Sequence, residues 1–196
     1  MQAKTYMNWP ERQLVHNIFR WYHQRYREIP ILLDMGLELK GKYALEVGCG
    51  NGRAAKAMVQ KYGADHVHGV DLDLSALKRS SWVPGTSFAA RDVTNLEYPD
   101  ASFEAVVGFG LLHHLERWQD AVAEISRVLK PGAQYAMDDF TKYGLDKWYH
   151  RIFEAPRGNE FTTGQLIREI EKNGMDIEEV THRFGGNVVF LVARKK

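Results

Sequence analysis

The chain has 196 residues, 44% hydrophobic and 26% charged, with a formal charge of +1; this suits one globular domain, is short for two, and excludes a disordered polyampholyte or a strongly basic nucleic-acid binder. One cysteine excludes an internal disulfide, and no Cys/His cluster has metal-ligand spacing, so a metal-free protein of a reducing compartment is expected. The N-terminus begins with polar and aromatic residues and no run of 18 or more apolar residues follows, so the expected location is cytoplasmic, without a signal peptide or membrane span.

The first predicted element is a helix from about Pro10 to Ile29, with Asn8 as N-cap and Leu14, Ile18, Tyr22 and Tyr26 recurring every four residues. From Tyr43 the rhythm changes to short apolar runs alternating with helical stretches. The runs are Tyr43 to Gly48, His66 to Val70, Ser87 to Ala90, Ala105 to Phe109 and Gln134 to Met137. The helices are expected near Arg53 to Lys61, Leu74 to Arg79 and Arg117 to Leu129. Such alternation predicts a parallel sheet covered on both faces. A further helix follows Thr162, where Thr162 and Gln165 have capping-box spacing. Two strand-like runs, Ile177 to Phe184 and Asn187 to Arg194, meet at Gly185-Gly186 and read as an antiparallel hairpin closing the sheet. No repeat or linker interrupts this order. One domain over 1–196 is expected, with 1–40 as a helical lid and 41–196 as the α/β core.

The sharpest signal is the passage Ala44-Leu-Glu-Val-Gly-Cys-Gly-Asn-Gly52, a strand running into Gly48, Gly50 and Gly52 before a helix leaves at Arg53. Glycines let the backbone turn tightly and approach a ligand, and the helix start offers unused N–H donors. Asp71 ends the next run, nineteen residues after Gly52, where a carboxylate accepts ribose hydroxyls; a helix N-cap is its alternative role. Asp92 follows the third run and can accept from an adenine amino group. Cys49 reads as a small loop residue. A dinucleotide loop and a methyl-donor loop compete here. The G-x-G-x-G spacing and the acid Glu46 favour the donor, because a carboxylate repels a pyrophosphate and attracts a cation.

Four blocks carry a resemblance: LEVGCGNGRAA, VHGVDLDLSAL, ARDVTNLEYPDASFEAVVGFGLLHHL and ISRVLKPGAQY. In order and spacing the chain resembles the class I S-adenosylmethionine-dependent methyltransferases, in particular the branch related to ubiquinone and menaquinone methyltransferases. The resemblance implies a Rossmann-like, seven-stranded and mostly parallel sheet whose last strand is antiparallel. It implies S-adenosyl-L-methionine as methyl donor and S-adenosyl-L-homocysteine as product. By position, Gly48, Gly50 and Gly52 would line the methionine moiety near Glu46. Asp71 would hold the ribose, Leu72 would pack on the adenine, and Asp92 with Val93 would bind the adenine edge. Phe109 and Gly110 would flank the methionine end, with His114 close to the transferred methyl as the candidate catalytic residue.

Two departures bear on the acceptor. Pro131-Gly132-Ala133 replaces a P-G-G turn, and Gly108-Phe-Gly-Leu111 replaces the Asn/Asp-Pro-Pro-aromatic motif of many enzymes acting on exocyclic or amide nitrogens. The expected partner is therefore a small, partly apolar or aromatic molecule, with lipid, RNA, protein or a silent binding role as alternatives. No nucleic acid is expected, peripheral membrane contact is compatible, and monomer and homodimer both stay open. Acceptor contacts are expected from aromatic segments outside the repeat: Tyr6, Trp9, Phe19 and Tyr22 before the core, and Asp139, Tyr143, Trp148, Tyr149, His150 and Arg151 after the fifth run.

Overall fold

The apolar runs become β1 (Tyr43–Val47), β2 (His66–Asp71), β3 (Thr86–Ala90), β4 (Phe103–Phe109), β5 (Leu129–Phe140), β6 (Met175–Arg183) and β7 (Val188–Lys195) in a computed structural model of the chain. The structure describes residues 27–80, 83–142, 160–183 and 185–196. The strands form one sheet in the order β3-β2-β1-β4-β5-β7-β6. β1 to β5 pair in parallel, whereas β7 runs antiparallel to both β5 and β6. The expected Rossmann-like sheet with its antiparallel closing strand is therefore what the chain forms.

Strand alternation sends successive residues of one strand to opposite faces. On one face Leu45, Val47, Val106, Tyr135, Met137 and Leu191 pack beneath α4 (Trp118–Val128) and α5 (Thr163–Lys172). On the other, Ala44, Val67, Val107, Ala136, Phe190 and Val192 meet α1 (Ile29–Asp34) and α2 (Arg53–Gln60). A short α3 (Leu74–Leu77) follows β2. The capping box read from the sequence is present: Gln165 N–H donates to Thr162 Oγ1 and Thr162 N–H donates to Gln165 Oε1. Among the described residues no helix is long and apolar enough to cross a membrane.

Three expectations change in detail. The first helix was expected to end near Ile29, yet α1 runs from Ile29 through Pro30 to Asp34, entered by a wide turn over 27–28. Pro30 has no N–H to give, and an early helical position is where that loss is tolerated. Within the segment expected to be a lid, Ile29, Leu32, Leu37 and Leu39 are buried in the second core. β5 is also longer than the run Gln134 to Met137, because its partner β7 pairs out to Phe140 against Val188. At its start, Lys130, Pro131 and Gly132 are exposed where the register with β4 shifts.

Candidate functional site

β1 has β2 on one side and β4 on the other, so the chain leaves the sheet's midline in opposite directions after these strands. Such a switch point opens a crevice at the carboxyl ends of the strands. Gly48, Gly50 and Gly52 all lie there at positive φ: 70°, 52° and 69°. A Cβ at Gly48 would stand 2.8 Å from Leu111 Cδ1, and one at Gly52 would overlap the Phe88 ring. Both the backbone twist and the space therefore require glycine. Gly52 N–H closes the loop on Cys49 O at 2.8 Å, and α2 starts with no side-chain cap, its first N–H groups at the loop.

Asp71 ends β2 as expected. Its Oδ2 accepts Gly50 N–H at 2.7 Å and its Oδ1 accepts Asp73 N–H at 2.8 Å, tying the glycine loop to the chain after β2. The alternative role as helix cap falls to Asp73 instead, whose carboxylate accepts Ser75 and Ala76 N–H at the start of α3. A cap must sit one residue before the helix, and Asp71 stands too early. Leu72 is half-buried between these acids. β3 ends at Ala90, so Asp92 stands two residues past the strand, where Oδ1 accepts Thr94 N–H and Oγ1–H. Val93 beside it is buried in the first core.

Glu46 is only 2% exposed, inside β1. Burial, then Glu46 and then Asp71, push the Cys49 thiol far up from its ordinary value. Cys49 stays a protonated thiol, consistent with its reading as a loop residue. The Glu46 and Asp71 carboxylates beside the loop suit a cationic ligand and oppose a pyrophosphate.

Phe109, the last residue of β4, is buried, and Gly110 at φ 58° donates its N–H to Asp138 O at 2.9 Å. The chain then makes a 3-10 turn over Leu112–His114 that buries both His113 and His114. Asp139 was expected after the fifth strand, but it lies inside β5 and is 1% exposed. Its carboxylate accepts Leu112 N–H (2.6 Å), Phe140 N–H (2.7 Å) and His113 Nδ1–H in a short contact. The His114 ring lies against His113, centroids 3.8 Å apart, and Phe140 meets His113 edge-on at 5.3 Å.

The crevice thus gathers the ends of β1, β2, β4 and β5 with the turn after β3. Tyr6, Trp9, Phe19, Tyr22, Tyr143, Trp148, Tyr149, His150 and Arg151 lie outside the described residues. The His113–Asp139 pair was not read from the sequence. Its only signal was a histidine after the fourth run and an acid after the fifth, joined once β4 and β5 are neighbours.

Residues 45–137, just under half of the chain, match the family model for a methyltransferase domain. The chain is 28% identical over 153 residues to the fatty-acid O-methyltransferase of Mycolicibacterium smegmatis, covering 74% of this chain and 56% of that protein. It is 29% identical over 144 residues to phthiotriol/phenolphthiotriol dimycocerosates methyltransferase 1 of Mycobacterium ulcerans, covering 70% and 53%. The chain spans about half the length of these curated relatives. A crystal structure of an S-adenosylmethionine-dependent methyltransferase from Aquifex aeolicus has a TM-score of 0.75 at 17% identity, covering 97% of this chain and 100% of that one, a likeness of fold. The matched segment is thus similar to a methyltransferase domain, and the fold as a whole to that of a solved S-adenosylmethionine-dependent methyltransferase.

Proposed function

We propose that the chain is an active methyltransferase that uses S-adenosyl-L-methionine in the cytoplasm to methylate a small, partly apolar acceptor of lipid-like or aromatic character. The observation that carries the reading is Asp71, whose carboxylate joins the glycine loop at Gly50 to the turn after β2. Each of its oxygens keeps acceptor capacity for a ribose hydroxyl beyond its backbone bond. Gly48, Gly50 and Gly52 admit the methionine end, and Glu46 favours its ammonium and sulfonium charges. Leu72, Asp92 and Val93 flank the adenine, while Phe109, Gly110 and His114 stand on the transfer side.

Methyl transfer from a sulfonium is an in-line displacement with a good leaving group. The protein's task is to align the acceptor atom and exclude water. Burial of Phe109, His113 and His114 beside the loop serves the second requirement. The names of the two relatives, a fatty-acid O-methyltransferase and a phthiotriol/phenolphthiotriol dimycocerosates methyltransferase, support an apolar acceptor here.

Calorimetry with S-adenosylmethionine, S-adenosylhomocysteine and NAD tests the cofactor half; saturable binding of the first two is expected, and binding of NAD alone overturns it. A labelled methyl donor incubated with fractionated metabolites and lipids tests the transfer half by mass spectrometry. Labelled product is expected in an apolar fraction, and label confined to RNA or protein overturns the acceptor class.

A further inference from the structure

We infer that Glu124 and Arg127 of α4 are positioning residues for the base of the methyl donor: they clamp the turn that carries Asp92, so that Asp92 selects the adenine amino group. The inference rests on the cofactor reading above.

The connection from β3 to β4 starts at the cofactor crevice. Arg91 N–H still bonds Asp71 O at 3.3 Å, so the acid that follows stands beside the proposed ribose acid. Asn95 N–H then closes on Asp92 O at 3.0 Å, and Thr94 N–H and Oγ1–H fix Asp92 Oδ1. Val93 and Leu96, both buried, seat this turn on the first core. A hydrogen bond ties it to α4: Leu96 N–H donates to Glu124 Oε2 at 2.8 Å. Arg127 holds Glu124 by a paired contact, Nε to Oε1 at 2.7 Å and Nη2 to Oε2 at 2.8 Å. Its Nη1 donates to Tyr98 O at 2.6 Å and to Asp100 Oδ1 at 2.8 Å. α4 thus grips the chain at Leu96 and again at Tyr98.

Between the two grips lies Glu97, at φ 56°. A residue other than glycine is strained there, and such strain persists only where the surroundings over-determine the backbone, as they do in ligand clamps. The Glu97 carboxylate also lies 3.5 Å from Arg91 Nε, drawing the ends of the turn together. The Arg127 guanidinium holds the Glu124 carboxyl below its ordinary pKa, so the grip stays charged. A paired guanidinium–carboxylate contact fixes direction as well as distance. Direction is what base selection needs. A carboxylate only accepts, so Asp92 favours the adenine amino group and opposes a carbonyl in its place. That preference lasts only while the carboxylate is held toward the base, and Glu124 and Arg127 act through Asp92 rather than on the ligand.

The test is titration calorimetry with two probes, S-adenosylhomocysteine and S-inosylhomocysteine, which carries a carbonyl where adenine has its amino group. Wild-type protein should bind the adenine form about tenfold more tightly or better. Glu124→Ala should reduce that ratio to about threefold or less, because the freed turn no longer holds Asp92. A merely structural role would weaken both ligands equally and keep the ratio, which overturns the inference. Glu124→Gln, whose amide oxygen still accepts Leu96 N–H, should restore most of the ratio; no restoration overturns the inference as well. Should circular dichroism show Glu124→Ala unfolded, Arg127→Lys decides the matter. It cannot hold Glu124 and Tyr98 O together, so the ratio should fall, and an unchanged ratio overturns the inference. Equal binding of both probes by the wild type removes Asp92 from the base and the inference with it, leaving the cofactor reading standing. Binding of neither probe overturns that reading too.

Discussion

Two histidine pairs stand at opposite ends of the sheet, and their partners differ. At the carboxyl ends of the strands, His113 is held by the buried carboxylate of Asp139 beside the glycine loop. At the amino ends, His66 Nε2 and His68 Nδ1 share the Ser87 hydroxyl at 2.8 and 2.7 Å, and His68 Nε2 meets Tyr98 OH at 2.6 Å. Tyr98 and Tyr43 pack on Phe103 to close that neutral, aromatic end. Burial, with His66 and Arg91 nearby, holds the His68 imidazole below its ordinary pKa. Residue type alone does not say whether a histidine meets a carboxylate or hydroxyls. The strand order and register do, by deciding which side chains share its end of the sheet.

The sharpest way to break this contrast is at the open end. Gly52→Ala must hold φ near 69° and force its Cβ against the Phe88 ring, for a loss of about 3 kcal/mol. Gly132→Ala, at φ 78° with nothing within 4 Å, should cost only about 1 kcal/mol. Scanning calorimetry of the two variants reads the difference, and equal shifts in Tm would show that the loop is not tightly packed. Asp71→Ala comes next. It removes the bonds to Gly50 and Asp73 and the proposed ribose acceptor, and should weaken S-adenosylmethionine binding by about 1–3 kcal/mol. A folded variant with wild-type affinity in titration calorimetry would assign the ribose elsewhere.

At the closed end, Ser87→Ala should destabilise by about 1 kcal/mol in denaturant melts without changing donor affinity. Weakened donor binding would join the two ends that the comparison separates. The smallest effect is one of pH. His68 takes its proton less readily in the folded protein than in the unfolded chain, so its contribution is present above the unfolded pKa of about 6.5. Stability should therefore fall as pH drops below that value, and His68→Gln should flatten the slope. His66, Ser87, Tyr98 and Arg91 are the groups that face it. An unchanged slope in the variant would assign the acid sensitivity to other groups.

The glycine loop, the acid at the end of β2, the capping box at Thr162 and the alternating strands and helices were legible in the residues themselves, and the four blocks of resemblance carried the cofactor contacts proposed above. All depend on local backbone chemistry: a φ that only glycine holds easily, a cap one turn from its donor, a side-chain period of two or of 3.6. Tertiary structure decided the rest. Asp73 rather than Asp71 caps α3, because helix onset is set by how the chain leaves the sheet. β5 runs on to Phe140 because β7, from the far end of the chain, pairs with it. That extension buries Asp139 beside a histidine 26 residues away, at a strand end whose neighbour only the sheet order could name. Spacing along a chain encodes turns and periods, but strand pairing and register determine which distant side chains meet.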